Sequence, residues 1–147
     1  MQLLEIGPQS AVLDVGCATG YSTAVLARLA KSVVALEADD ALAARAADTL
    51  RQLRIANVMV LRGALEAGAP AQAPFDAILL EGAVPQVPQD LLEQLKDGGR
   101  LVAIIANGVF GRAQVWRRTG NVFDTRSAFD AGAEPLPGFA RNAEFSL

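Results

Sequence analysis

The chain of 147 residues contains no histidine and a single cysteine, Cys17. Without a second thiol there is no internal disulfide, and without imidazole a zinc site would rest on carboxylates alone, so no structural or catalytic metal is expected. Cys17 also has no histidine to activate it and reads as a small residue fitting a turn. No uninterrupted apolar run approaches the roughly 20 residues of a membrane-spanning helix, which predicts no membrane partner. The start "MQLLEIGPQS" has neither a basic n-region nor a long apolar h-region, so no secretory signal is visible and a cytoplasmic location is expected. Basic residues are the minority, 13 against 16 acids, for a formal net charge of -3, which argues against a nucleic-acid partner. Arginines do gather in "RAQVWRR", residues 112–118, but an acidic whole favours a strand with two solvated arginines and a half-buried Trp116.

What the chain has is apolar residues, 52% of the total, in one domain's length. Short apolar runs alternate with amphipathic stretches, the order of a parallel sheet flanked by helices. "AVLDV", "SVVALE", "NVMVLRG", "FDAILLEG" and "RLVAIIA" read as five strands. Helices are expected through "YSTAVLARLAK", through "ALAARAADTLRQL" after a cap by Asp39 or Asp40, and through "DLLEQLK" up to Gly98 and Gly99. In the second, Leu42, Ala46, Leu50 and Leu53 recur at helical spacing and should share a buried face. Beyond Ala106, "RAQVWRRTG" and "FARNAEFSL" look extended, the latter with a period of two. The link between them, "NVFDTRSAFDAGAEPLPG", is rich in turn residues. The two extended runs have no clear crossover helix between them, so they should close the sheet as an antiparallel pair.

The run "VLDVGCATGYS", residues 12–22, lies at the carboxyl edge of such a sheet, where ligands settle. Gly16 and Gly20 allow a sharp bend and a close approach, and the helix starting near Tyr21 offers unpaired amides. Glu37 ends the second strand about 20 residues later, the separation at which nucleoside-binding sheets place an acid on ribose hydroxyls. Neither the phosphate-binding GxGxxG spacing nor a P-loop is present. Asp14 would repel a phosphate but attract an ammonium group. Adenosine, a ribose diol and a cationic amino-acid tail together suit this arrangement, and S-adenosyl-L-methionine has all three.

At these residues the chain resembles the Rossmann-like S-adenosylmethionine-dependent methyltransferases, and more narrowly the protein-L-isoaspartate O-methyltransferases. "LLEIGPQSAVLDVGCATGYSTAVLARLAKSVVALE" is similar to that family's first motif and acidic strand end. "APFDAILLEGAVPQVPQDLLEQLKDGGRLVAII" is similar to its fourth strand, turn, helix and fifth strand, and "EPLPGF" to its late segment. The resemblance implies an α/β Rossmann-like methyltransferase fold, a mostly parallel seven-stranded sheet with a reversed last strand and helices on both faces. It implies that Gly16, Cys17, Ala18, Thr19, Gly20 and Ser22 surround the methionine part of the cofactor. Glu37, with Ala38 beside it, would hold the ribose, and Gly63, Ala64 and Leu65 would approach the adenine. Two departures from the family pattern stand out: Ala18 replaces a usual glycine, and Ala64 stands where many members carry an acid; Glu66, two positions later, is a candidate substitute but reads first as a solvated surface carboxylate. The family also carries several tens of residues before the first motif. Their absence here leaves two expectations, a fragment or mis-started chain or a protein that lacks its lid; a missing lid would leave apolar surface around the pocket exposed, and self-association into a homo-oligomer is one way to cover it.

A carboxylate acceptor, with a reference pKa near 4, is ionised at neutral pH and needs no general base, so the lack of histidine agrees with carboxyl methylation. Glu81 is counted among the cofactor-binding positions, and with Gly82, at the mouth of the fourth strand, it is also the local candidate on the acceptor side, although it would repel a carboxylate. No catalytic residue is identified. The preferred reading is a methyltransferase acting on protein or peptide carboxylates. A cofactor-binding module without turnover and a nicotinamide-dependent oxidoreductase domain remain as alternatives.

Overall fold

The computed structural model describes residues 2–106 and 111–139. Five parallel strands come first: β1 (Ala11–Val15), β2 (Ser32–Glu37), β3 (Val58–Arg62), β4 (Phe75–Val84) and β5 (Leu95–Ala106). Then β6 (Gly111–Thr119) and β7 (Val122–Asp130) follow. The seven form one sheet in the order β3-β2-β1-β4-β5-β6-β7. The order reverses at β1, whose neighbours are β2 and β4, so a crevice opens at the carboxyl end of β1.

Alternation along β1 feeds two cores. Leu13 and Val15 point to the face that also buries Leu36, Phe75, Ile78, Leu91 and Leu101. Val12 points the other way, onto Leu26 and Ala27 of α1 (Tyr21–Leu29). Next to it lies α2 (Asp40–Gln52), started by the Asp39 carboxylate, which accepts from the Leu42 amide at 2.9 Å. The opposite face carries the short α3 (Gln89–Leu92). Helices therefore flank both faces, as expected. The buried side of α2 is Ala43, Ala46 and Leu50, whereas Leu53 falls at the C-cap and stays 40% exposed, contrary to the sequence expectation.

Three sequence expectations need correction. The helix through "DLLEQLK" stops at Leu92, and Leu95 already pairs with Phe75 of β4. The Arg118 guanidinium donates to the carbonyls of Glu93 and Leu95, and the Gln94 side chain is held by the Ala69 amide and the Ala67 carbonyl. Those bonds pull the chain out of helical register. Second, the supposed link contains β7, joined to β6 by the two-residue loop Gly120 and Asn121. This strand is an edge with nearly every residue exposed, so it has no buried face to impose an alternating pattern. Third, the reversed strand is β6, antiparallel to both β5 and β7, rather than the last one. The expected strand "FARNAEFSL" lies outside the described residues apart from Phe139, which is buried. Trp116 sits half-buried on β6 with Arg117 exposed beside it, as the sequence suggested; Arg118 is instead partly covered.

Candidate active site

At the carboxyl end of β1 the chain turns through Gly16 with a positive φ of 82°. The amides of Gly16 and Cys17 donate to the Leu36 carbonyl at 2.8 and 3.2 Å, which ties the turn to β2 and leaves neither amide for a ligand. A Cβ on Gly16 would lie 2.7 Å from the Leu136 side chain, so this bare position admits the tail segment rather than only a ligand. Gly20 bends the chain with a positive φ, as the sequence reading expected, and also meets α2. With φ at 90°, its absent Cβ would sit 3.2 Å from the Ala46 backbone, so its bareness lets α1 start against α2.

Glu37 closes the turn. It is 5% exposed. Its Oε1 accepts from the Ala18 amide at 2.8 Å, and its Oε2 from the amides of Ala38 and Asp39 at 2.9 and 3.0 Å. A carboxylate has about four acceptor sites, so roughly one remains for a ligand hydroxyl, where the sequence reading expected two. Ala18, in the place of a glycine, holds a φ of 49°, which L residues other than Asn and Asp seldom adopt.

Facing the turn is a cavity of about 630 Å³, walled by Gly16, Ala18, Glu37, Ala38, Asp39, Leu42, Leu65 and Glu81 and, from the tail, by Glu134, Pro135, Leu136 and Pro137. The tail is pinned there: the Ala83 amide donates to the Glu134 carbonyl and the Leu136 amide to the Ala83 carbonyl, both at 2.9 Å. Such a volume is that of a drug-sized ligand site. Of the thirteen residues singled out by sequence, Gly16, Ala18, Glu37, Ala38, Leu65 and Glu81 are on the wall. Asp14, Cys17, Thr19, Gly20, Ser22, Gly63 and Ala64 are not, although the Gly63 amide is tied to the Glu37 carbonyl at 3.1 Å. Asp39 and Leu42 were missed; their place one turn after Glu37, at the start of α2, could have revealed them. Residues 134–137 were read only as a family-like segment, and no local pattern shows that they return to the turn. Glu66, read first as a surface carboxylate, is half-buried and sets its carboxylate against Gly138.

Asp14 is wholly buried under α1 and not at an open lip. Its Oδ2 accepts from the Thr23 hydroxyl at 2.6 Å, while its Oδ1 has no partner among the described residues. Glu81, on the adjoining strand β4, likewise keeps a buried Oε2 without a partner. Burial foremost, then the nearby Glu81 carboxylate, pushes the Asp14 carboxyl well above its ordinary range; burial raises Glu81 as well. Cys17 is buried, and its thiol is pushed up to about 12, by desolvation first and by the surrounding acids second. A thiol so raised is a poor nucleophile at neutral pH.

Comparison with known proteins agrees with this geometry. The family model described as protein-L-isoaspartate(D-aspartate) O-methyltransferase matches residues 1–128. A protein-L-isoaspartate O-methyltransferase of Roseiflexus castenholzii is 41% identical over 141 residues, covering 94% of this chain and 63% of the relative. Another, from Halorhodospira halophila, is 38% identical and covers 91% of this chain and 61% of the relative. The chain thus spans somewhat under two thirds of the length of these relatives. Among solved structures, a protein-L-isoaspartate O-methyltransferase superposes with a TM-score of 0.88 at 24% identity, over 95% of this chain and 46% of that one. A beta-aspartate methyltransferase of Plasmodium falciparum in complex with S-adenosyl-L-homocysteine superposes with a TM-score of 0.77 at 20% identity, over 93% of this chain and 69% of that one. Those two likenesses show a shared fold. Taken with the family match over most of its length, they place a turn, an acid and a crevice of known type in one chain, which belongs to the protein-L-isoaspartate(D-aspartate) O-methyltransferase family.

Proposed function

We propose that this chain is the S-adenosyl-L-methionine-binding core of an O-methyltransferase that esterifies isoaspartyl carboxylates of proteins or peptides. The observation that carries the reading is Glu37, held at the end of β2 by three amides and presenting its remaining acceptor capacity to a cavity of about 630 Å³. Its carboxylate receives one ribose hydroxyl, while Ala38, Leu42 and Leu65 line an apolar wall suited to a base. Bound S-adenosylmethionine supplies an electrophilic methyl group on a sulfonium. The residues around the turn need only align that group with the acceptor and keep water away, since nearness and orientation supply much of the acceleration of a displacement. No proton has to leave an ionised carboxylate, so the chain requires no histidine for the step. The tail at residues 134–137 walls the cavity opposite the turn and bounds the space from which an acceptor would enter.

The same proposal covers a single domain and a cytoplasmic location; among the described residues no helix is long and apolar enough to cross a membrane. The self-association expected from the sequence finds support in Tyr21, Val25 and Leu29, an exposed apolar stripe along α1, and sedimentation at two concentrations tests it. For the site itself, calorimetric titration should show binding of S-adenosylhomocysteine and none of NAD. A peptide containing isoaspartate should then accept methyl groups that its normal aspartyl isomer does not. Binding of NAD instead would overturn the reading. Binding of S-adenosylhomocysteine with no methyl transfer would reduce the chain to a cofactor-binding module.

A further inference from the structure

A second cavity, of about 190 Å³, opens on the β5–β6–β7 end of the sheet, walled by Arg100, Val115, Arg117, Asp124, Thr125 and Arg126. None of these residues lines the candidate active site. Strand register explains why three arginines meet there. Arg100 of β5 stands directly opposite Arg117 of β6, and Arg126 of β7 stands opposite Val115, two residues before Arg117 and so on the same face. Val115 is the floor between them and is 4% exposed, which fits arginine stems lying along apolar surface with their heads toward water.

Like charges directly opposite on neighbouring strands destabilise a sheet. Two acids offset part of the repulsion: the Glu5 carboxylate pairs with Arg100 Nη2 at 2.9 Å, and Asp124 stands opposite Arg117 in the register. Three cations against two anions leave a local positive charge in a chain whose formal net charge is -3. Among the described residues, neither Arg117 nor Arg126 is in an ion pair within 4 Å. Neighbouring arginines of β6 are already engaged: Arg112 pairs with Asp130, and Arg118 donates to the carbonyls of Glu93, Leu95 and Gly120.

The size and walls of the cavity select its ligand. It is smaller than the roughly 300 Å³ at which pockets begin to hold drug-sized molecules, and Trp116 packs on the other face of the sheet, so no ring is present to stack on a base. A carboxylate offers two oxygens, enough for one guanidinium fork, whereas a phosphate offers at least three and carries close to two negative charges. We propose that Arg100, Arg117 and Arg126 form a binding site for a phosphate group, as the free ion or as a phosphomonoester. The site stands independently of the reading of the other cavity, with which it shares no lining residue.

Inorganic phosphate, titrated calorimetrically into the whole chain at constant ionic strength, tests the site. Two or three hydrogen bonds to a charged group correspond to a Kd of about 1 mM or tighter. Arg117→Gln and Arg126→Gln should each weaken binding about tenfold. Both side chains are exposed, and should one variant fail to fold, the other reads the same loss. Arg45→Gln, which removes the same charge from α2 at the far end of the sheet, should leave the affinity within about twofold. Malonate should bind at least about tenfold more weakly than phosphate. O-phosphoserine separates the two sources: binding as tight as phosphate or tighter assigns the site to a phosphomonoester, weaker binding assigns it to the free ion, and either upholds it. No binding of phosphate or O-phosphoserine at 10-fold above about 1 mM, equal losses in all three variants, malonate as tight as phosphate, or displacement of phosphate by S-adenosylhomocysteine overturns it.

Discussion

Replacing Glu37 by glutamine changes neither size nor shape, yet it should dismantle the turn. The carboxylate accepts three amides, one on Oε1 and two on Oε2, at 2.8, 2.9 and 3.0 Å. A glutamine has one carbonyl oxygen. Turned toward Ala38 and Asp39, it keeps two bonds at neutral strength and sets its NH2 group against the Ala18 amide, donor to donor. Hydrogen bonds to a charged group contribute about 1.5 to 3 kcal/mol and neutral ones about 1, so one bond is lost outright and two are weakened. The sum is about 3 kcal/mol, a large share of the 5 to 15 kcal/mol typical of a domain. Solvent screening trims this little, since Glu37 is 5% exposed. Urea unfolding should therefore shift to lower midpoint with an unchanged slope, and thermal unfolding should drop by about 10 °C. Titration with S-adenosylhomocysteine should show at least a tenfold loss, because the freed Ala18 turn no longer holds its wall of the cavity. A Glu37→Gln protein within about 0.5 kcal/mol of the parent and with unchanged affinity would refute the view that this carboxylate organises the turn.

Three further outcomes follow from the same residues. Burial raises the Asp14 carboxyl well above its ordinary range, so above about pH 4, where the unfolded group has lost its proton, the native state binds more protons than the unfolded one. Stability should accordingly fall as pH rises from about 4 toward Asp14's raised value, by no more than about 1.4 kcal/mol per pH unit per proton, and Asp14→Asn should flatten the slope in urea titrations at stepped pH. Ala18 carries a left-handed φ of 49°, so Ala18→Gly should gain about 0.5 to 1 kcal/mol in thermal or urea unfolding; a loss would mean that its methyl group packs more than the strain costs. Cys17, with its thiol raised to about 12 and its side chain buried, should react with a thiol reagent at pH 8 at least about a hundredfold more slowly in the folded chain than in urea.

How far the sequence discloses this molecule depends on whether local patterning carries the contact in question. The bounds of β1 and β2 could be read directly, because an apolar run between turn signals is a local property, and Glu37 follows as the last residue of its strand. β7 could not, since an exposed edge strand needs no apolar face and its Asp124, Arg126, Ser127 and Asp130 read as turn residues. The end of α3 was equally hidden, because the carbonyls that stop it are captured by Arg118, more than twenty residues downstream. At the site, the glycine turn and its acid were legible as a spacing. That Gly20 packs against Ala46, that Leu136 fills the space above Gly16, and that the Thr23 hydroxyl is the partner of a wholly buried Asp14 depend on pairs apart in the chain, which one sequence does not reveal.

An acid-lined crevice and an anionic acceptor look incompatible, since two unit charges 4 Å apart interact by about 4 kcal/mol at an effective dielectric constant of 20. The structure lowers that barrier one carboxyl at a time. Burial first and the neighbouring Glu81 second raise the Asp14 carboxyl well above its ordinary range, which favours its neutral form. The charge of Glu37 is met by three amide dipoles that converge on it. Glu134 stands exposed at the rim, where salt screens it. Asp39 and Glu81 remain as acids on the wall, and the cationic tail of the proposed ligand offsets them. On this accounting the cofactor does more than carry the methyl group: once its tail is seated, the pocket no longer repels a carboxylate. The acceptor should therefore bind after the cofactor and not before it.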